Sequence, residues 1–95
     1  MQINTKAGIK DLAGKDILNK EEVFTIGEAV ANILINSELK GVYKTYVLAK
    51  KFYNDKKVEL DEADVLLVKE AVEASKSYTV LVKGQLLEVL EVKDK

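Results

Sequence analysis

The 95-residue chain has no cysteine, histidine, arginine, proline or tryptophan. Without cysteine there are no disulfides, no thiolate metal sites and no cysteine nucleophile. Without histidine the chain lacks the commonest general base and the commonest transition-metal ligand. The missing arginine removes the planar fork that grips phosphate or guanine bidentately, which argues against sequence-specific DNA binding. No apolar run exceeds five residues, whereas a membrane-spanning helix needs about 20. Met1 to Lys10 holds no apolar stretch of the kind a signal peptide carries, so the expectation is a cytoplasmic protein.

What is present is balanced. Apolar residues make up 47% of the chain and charged residues 33%, with 15 basic side chains, all lysine, against 16 acidic ones. Neither half carries a surplus, so no strong field steers the chain toward DNA or anionic lipid. A chain of this length supports one modest core, hence a single domain over 1–95. Residues 1–24, with Gly8 and Gly14 and scattered apolar positions, read as an extended, turn-rich segment; 25–92 reads as a helical core.

The first helix opens at Thr25, with Glu28 at capping-box distance and Phe24 placed as a hydrophobic staple. Ile26, Ala29, Val30, Ile33 and Leu34 then recur on one face. Asn36, Ser37 and Gly41 supply its stop. The spacing predicts a second helix from Leu39 or Val42 to Asn54, with Val42, Tyr46, Ala49 and Tyr53 as its inner stripe, flanked by Leu48 and Phe52. Lys40, Lys44 and Lys51 fall on the opposite side. Val58–Leu60 reads as a short strand, with the segment around Ile17 as its expected partner.

A third helix begins at Asp61, capped with Asp64. Its inner stripe is expected to be Ala63, Leu66, Leu67, Ala71 and Ala74, which leaves Val65, Val68 and Val72 as a second apolar stripe. Residues 78–92 admit two readings. Lys83–Gly84 would suit a hairpin turn, but Ser77, Gly84, Glu88, Glu91 and Lys95 repeat with helical period, and the helix is the reading adopted. Gly84 is then tolerated inside it at about 1 kcal/mol relative to alanine, or marks the close approach of another backbone. The fold class expected is therefore α+β, mainly α: about four helices and a small antiparallel β element from the N-terminal segment and residues 58–60.

Two clusters carry possible chemistry. Lys44, Tyr46, Lys50, Lys51 and Tyr53 on the second helix combine phosphate attraction with stacking faces, as a ligand or partner surface would. The plainer reading is an amphipathic helix with a solvated lysine side. Asp55, Glu59, Asp61, Glu62 and Asp64 form an acidic cluster, yet the calcium-loop pattern fails at Leu60 and Leu66. Capping accounts for Asp61 and Asp64. Ala13–Gly14–Lys15–Asp16 only superficially suggests a phosphate loop, and Ser37, Ser75 and Ser77 have no histidine to activate them. No catalytic residue, cofactor or metal site is expected, and the chain does not read as an enzyme. Surplus apolar surface at Val65, Val68, Val72, Val82, Leu86 and Val89 leads instead to an expected homodimer through the third and fourth helices.

Residues 25–90 resemble a family of small, largely uncharacterised proteins encoded by tailed bacteriophages and prophages. Thr25, Gly27 and Glu28 carry the likeness in the first helix, and Tyr46, Leu48, Ala49 and Phe52 in the second. Val58, Glu59, Leu60, Asp61 and Asp64 carry it at the third, and Val82, Gly84, Gln85, Leu86 and Leu90 near the end. The resemblance implies a non-enzymatic accessory protein in the bacterial host cytoplasm that binds a host or phage protein, such as a host factor or defence component. The alternatives are a nucleotide or single-stranded nucleic-acid sponge using the second helix, and a minor virion or assembly component.

Overall fold

The computed structural model describes residues 2–37 and 41–91. In chain order the elements are β1 (Gln2–Asn4), β2 (Leu18–Asn19), β3 (Glu22–Val23), α1 (Ile26–Ile35), α2 (Val42–Asn54), β4 (Lys57–Glu59), α3 (Glu62–Ala74) and α4 (Val80–Glu91). The α+β, mainly helical class is as the sequence implies. Leu39 as an alternative start of α2, Lys40 on its outer side, and Val92 and Lys95 at the end of α4 lie outside the described residues.

α1 sits between α2 and α3, and α4 packs on α3. Its start is fixed by Thr25, whose hydroxyl accepts the Glu28 N–H at 3.2 Å. All five residues of the expected stripe are buried, together with Gly27 and Ala31. The buried arc is wider because the N-terminal segment runs along it. Gly27 N–H donates to the Thr5 carbonyl (2.9 Å), Ile26 N–H to Ala7, and Ile9 N–H to Phe24. A Cβ on Gly27 would lie 2.7 Å from Thr5 Cβ and would strike the Phe52 carbonyl oxygen, so only glycine admits this three-way crossing. The close backbone approach considered for Gly84 occurs here instead; a Cβ at Gly84 meets nothing within 4 Å.

The strand partner of residues 57–59 differs from expectation. β4 pairs antiparallel with β1, Ile3 opposite Val58, and both side chains are buried. Thr5 continues the ladder through its N–H to the Lys56 carbonyl (3.0 Å), and its hydroxyl donates to the Asp55 carbonyl. Ile17 turns to other neighbours: its N–H donates to Ile9, and its carbonyl accepts from Phe24. It leads into the β2–β3 hairpin, with Leu18 opposite Val23. The two-residue turn, Lys20 and Glu21, has φ of 55° and 71°. These positive angles suit the twist of a tight hairpin, but they are costly for side chains other than glycine or asparagine.

α3 opens with the full reciprocal capping box. Asp64 N–H donates to Asp61 Oδ1 (2.8 Å), and Asp61 N–H donates to Asp64 Oδ2 (3.3 Å). Its inner face is shifted relative to expectation: of the expected stripe Ala71 is buried and Leu67 half-buried, and the valine stripe takes the rest. Val68, Ala71 and Val72 are buried and Val65 is half-buried, whereas Ala63, Leu66 and Ala74 are exposed. The helix is apolar on several sides, so periodicity alone cannot say which side meets the core. Branched valines fill the space against α1 and α4.

Residues 80–91 are helical, which resolves the helix-or-hairpin alternative. Two side chains anchor α4. Gln85 clasps the Lys10 backbone, accepting its N–H at 2.8 Å and donating to its carbonyl at 2.5 Å. Lys83 Nζ donates to the Ser75 carbonyl at 2.6 Å and so caps the C-terminal end of α3.

Candidate binding face

α2 begins after Gly41 and lies along α1 with Thr45, Leu48, Ala49 and Phe52 inward. The expected stripe of Val42, Tyr46, Ala49 and Tyr53 shares only Ala49 with this face. At 100° per residue the true inner face is rotated by roughly 80° from it. The physical reason is hydrogen bonding. A buried phenol needs a partner for its hydroxyl, whereas Phe52 can go fully inside at no such cost. Phe52 is 1% exposed, and Tyr43, Tyr46 and Tyr53 are 76%, 47% and 60% exposed.

Of the five candidate surface residues, the fold brings three together. Tyr46, Lys50 and Tyr53 flank the seam between α1 and α2. Lys50 Nζ stands 5.3 Å from the centre of the Tyr46 ring, within cation–π range. The Tyr43 and Tyr46 rings are 6.3 Å apart and tilted by 43°. Lys44 points elsewhere: its Nζ meets Asp64 Oδ1 of α3 at 3.0 Å. The hydrogen bond to Asp64 and that carboxylate's charge raise the Lys44 pKa above its ordinary value. For Asp64, burial pushes the carboxyl upward, but Lys44 and the Asp61 backbone together outweigh it and hold the pKa below the usual range. Lys51 is exposed on the same flank of α2 as Lys44, by helical spacing.

Along the seam lie two hollows, of about 160 and 200 Å³, that share Ile35. The first is walled by Val42, Thr45 and Tyr46, the second by Ala31, Ala49 and Tyr53. Ile35 is 59% exposed and Val42 78%. The sequence pattern had one signal for Ile35: it is a large aliphatic residue that falls off the buried stripe of α1. Thr45 is 5% exposed, and its hydroxyl is buried without a partner among the described residues.

The other candidates resolve differently. Val68, Val72, Val82 and Leu86, expected at a dimer surface, are buried in the chain's own core, and Val65 and Val89 are half-buried against it. The surplus that motivated a dimer at those positions is therefore absent. Leu66, 62% exposed, is what α3 turns outward, beside a cleft of about 500 Å³ bordered by Leu60, Val65 and Leu90. At the phosphate-loop lookalike, Asp11 Oδ1 accepts the N–H groups of Ala13 and Lys15, the donors a phosphate would need. Ser37 donates to the Leu34 carbonyl and so caps the end of α1, and Ser75 Oγ accepts the Ser77 N–H in the turn between α3 and α4. Among the described residues no group of three or more carboxylates converges as a metal site would require, and no helix is long and apolar enough to cross a membrane. No protein-family model matches the chain, and neither a curated protein nor a solved structure shows significant similarity to it.

Proposed function

We propose that the chain works by binding another protein rather than by catalysis, through the α1–α2 face centred on Tyr46, Lys50, Tyr53 and Ile35. The observation that carries this reading is the concentration of exposed Ile35, Val42, Tyr43, Tyr46 and Tyr53 along one helix pair. Tyrosine is enriched at protein interfaces because its ring gives contact area at low entropic cost and its hydroxyl tolerates water beforehand. The phage-family resemblance of residues 25–90 makes a bacterial host protein the natural target and the host cytoplasm the place of action.

The test is comparative capture from extracts of infected or lysogenic bacteria. Proteins retained by the native chain and by Leu66→Ser, but lost from Tyr46→Ser/Tyr53→Ser, are the expected result. Retention that ignores the tyrosines removes the reading. The Lys50–Tyr46 stack also favours a second reading, a nucleotide or single-stranded nucleic-acid sponge. Thermal shift with nucleotides and oligonucleotides separates the two: a sponge gains stability with ligand concentration.

A further inference from the structure

We infer that the α1–α2 seam receives an acidic amphipathic helix of the partner, with two apolar anchors one heptad apart seated on either side of Ile35. This deepens the protein-binding reading and rests on it.

The spacing comes from the seam itself. The two hollows share Ile35 as the ridge between them, and their outer walls carry Tyr46 and Tyr53. Seven residues of helix rise about 10.5 Å. A helix lying along the seam places its own i and i+7 side chains at that same interval, which is the geometry of helix-in-groove recognition. The hollows, about 160 and 200 Å³, are of a size for single leucine-like or methionine-like side chains rather than for a whole small molecule, whose sites usually exceed about 300 Å³.

The charge comes from one end of the seam. α2 contains three lysines and no acidic residue. Lys50 borders the second hollow, and Lys56 and Lys57 follow within three residues of the end of α2, with Asp55 and Glu28 as the acids at this end. All three lysines are exposed, and none forms an ion pair among the described residues. Lys44, by contrast, is already matched by Asp64. Unmatched cations beside an apolar groove select an anionic partner by attraction and by rejecting basic ones. A second copy docking by this same face brings only Glu28 of α1 and Asp55 to meet these lysines, a poor match.

The test selects binders to the intact chain from a displayed library of random peptides of about 16 residues, four to five helical turns. Enriched peptides are then titrated into the isotope-labelled chain. The expected winners are net acidic, with large apolar residues seven apart, and they shift the amides of Ile35, Ala49 and Tyr53. Lys50→Glu/Lys56→Glu/Lys57→Glu is expected to weaken them about tenfold or more with an unchanged melting temperature, while Lys76→Glu leaves them unaffected. Neutral or basic winners, shifts confined to other faces, indifference to the charge reversal, or no winners at all each overturn the inference. So does an oligothymidylate that binds this face more tightly at physiological salt than any selected peptide. The two levels separate cleanly. Tyrosine-dependent capture without acidic winners leaves the protein-binding reading standing and removes the acidic helix. Tyrosine-independent capture removes the protein-binding reading at this face, and the inference that rests on it falls with it, whatever peptides are selected.

Discussion

α1 and α2 lie side by side along one seam, yet they solve opposite problems. α1 buries seven of its ten residues, because the N-terminal segment, α2 and α3 all cover it. α2 buries four of thirteen and turns its tyrosines and most of its lysines to water. Stability is thus concentrated in one helix, and the surface most suited to recognition sits on its neighbour. A binding face built on the outer side of a peripheral helix can change without disturbing the core it leans on.

The sharpest way to break this contrast is to damage α1. Ile33 is 2% exposed at the centre of its inner face. Ile33→Asp leaves an unpaired buried charge and is expected to cost more than about 4 kcal/mol, enough to abolish a cooperative melt. Calorimetry reads this directly. Next comes Gly27→Ala. Alanine is the better helix former, but its Cβ meets the Phe52 carbonyl and Thr5. Overpacking of this kind costs about 2–3 kcal/mol, or at least about 10 °C in melting temperature for a domain of this size.

Smaller changes sharpen the contrast in the stabilising direction. Gly84→Ala, where the added carbon meets nothing within 4 Å, is expected to gain about 1 kcal/mol from helix propensity alone. The same substitution therefore carries opposite signs at two helical positions. Thr45→Val removes the unpartnered hydroxyl on the inner face of α2 while keeping the branched shape. A gain of about 1 kcal/mol is expected, seen as a higher denaturant midpoint with an unchanged slope.

The smallest effect belongs to the Lys44–Asp64 pair on the outer flank. The folded Asp64 pKa is depressed, so its stabilisation is complete above the ordinary carboxylate value of about 3.9 and is lost as pH falls through the lower folded value. Lys44→Met removes the lowering by Lys44 and leaves burial opposed only by the Asp61 hydrogen bonds, so the carboxyl pKa rises and the acid-side loss of stability shrinks. An NMR titration of the Asp64 carboxyl carbon checks the direction. The raised Lys44 pKa acts at the other limit: its contribution holds below the ordinary lysine value and fades as pH rises through the folded one.

How far these features could be read beforehand depends on how many answers each residue type permits. The α1 stripe was legible because Ile26, Val30, Ile33 and Leu34 admit one environment. The Asp61–Asp64 box and the helical period of residues 80–91 were legible for local reasons. The faces of α2 and α3 were not. A tyrosine suits both an interior and a wet surface, and α3 has apolar residues on several sides, so in both helices the choice was made by neighbours distant in sequence. The β2–β3 hairpin was hidden because Lys20–Glu21 offers none of the usual turn residues. Within the candidate binding face, Tyr46, Lys50 and Tyr53 were visible as a cluster on one helix. Ile35 was missed because its place beside them depends on how α1 and α2 cross, and Lys44 was included because nothing local reveals its pairing with Asp64.

The pairing of β1 with β4 also imposes an order in time. Asn4 leaves the ribosome 53 positions ahead of its partner Lys57, which at about 5–20 residues per second is a delay of roughly 3–10 s. Through that interval Ile3 and Ile9 have only part of their eventual surroundings, and Thr5 has no Asp55 carbonyl to receive its hydroxyl. Residues 3–9 are thus secured later than the chain that follows them directly, and until then the nascent chain presents them to whatever chaperone waits at the exit.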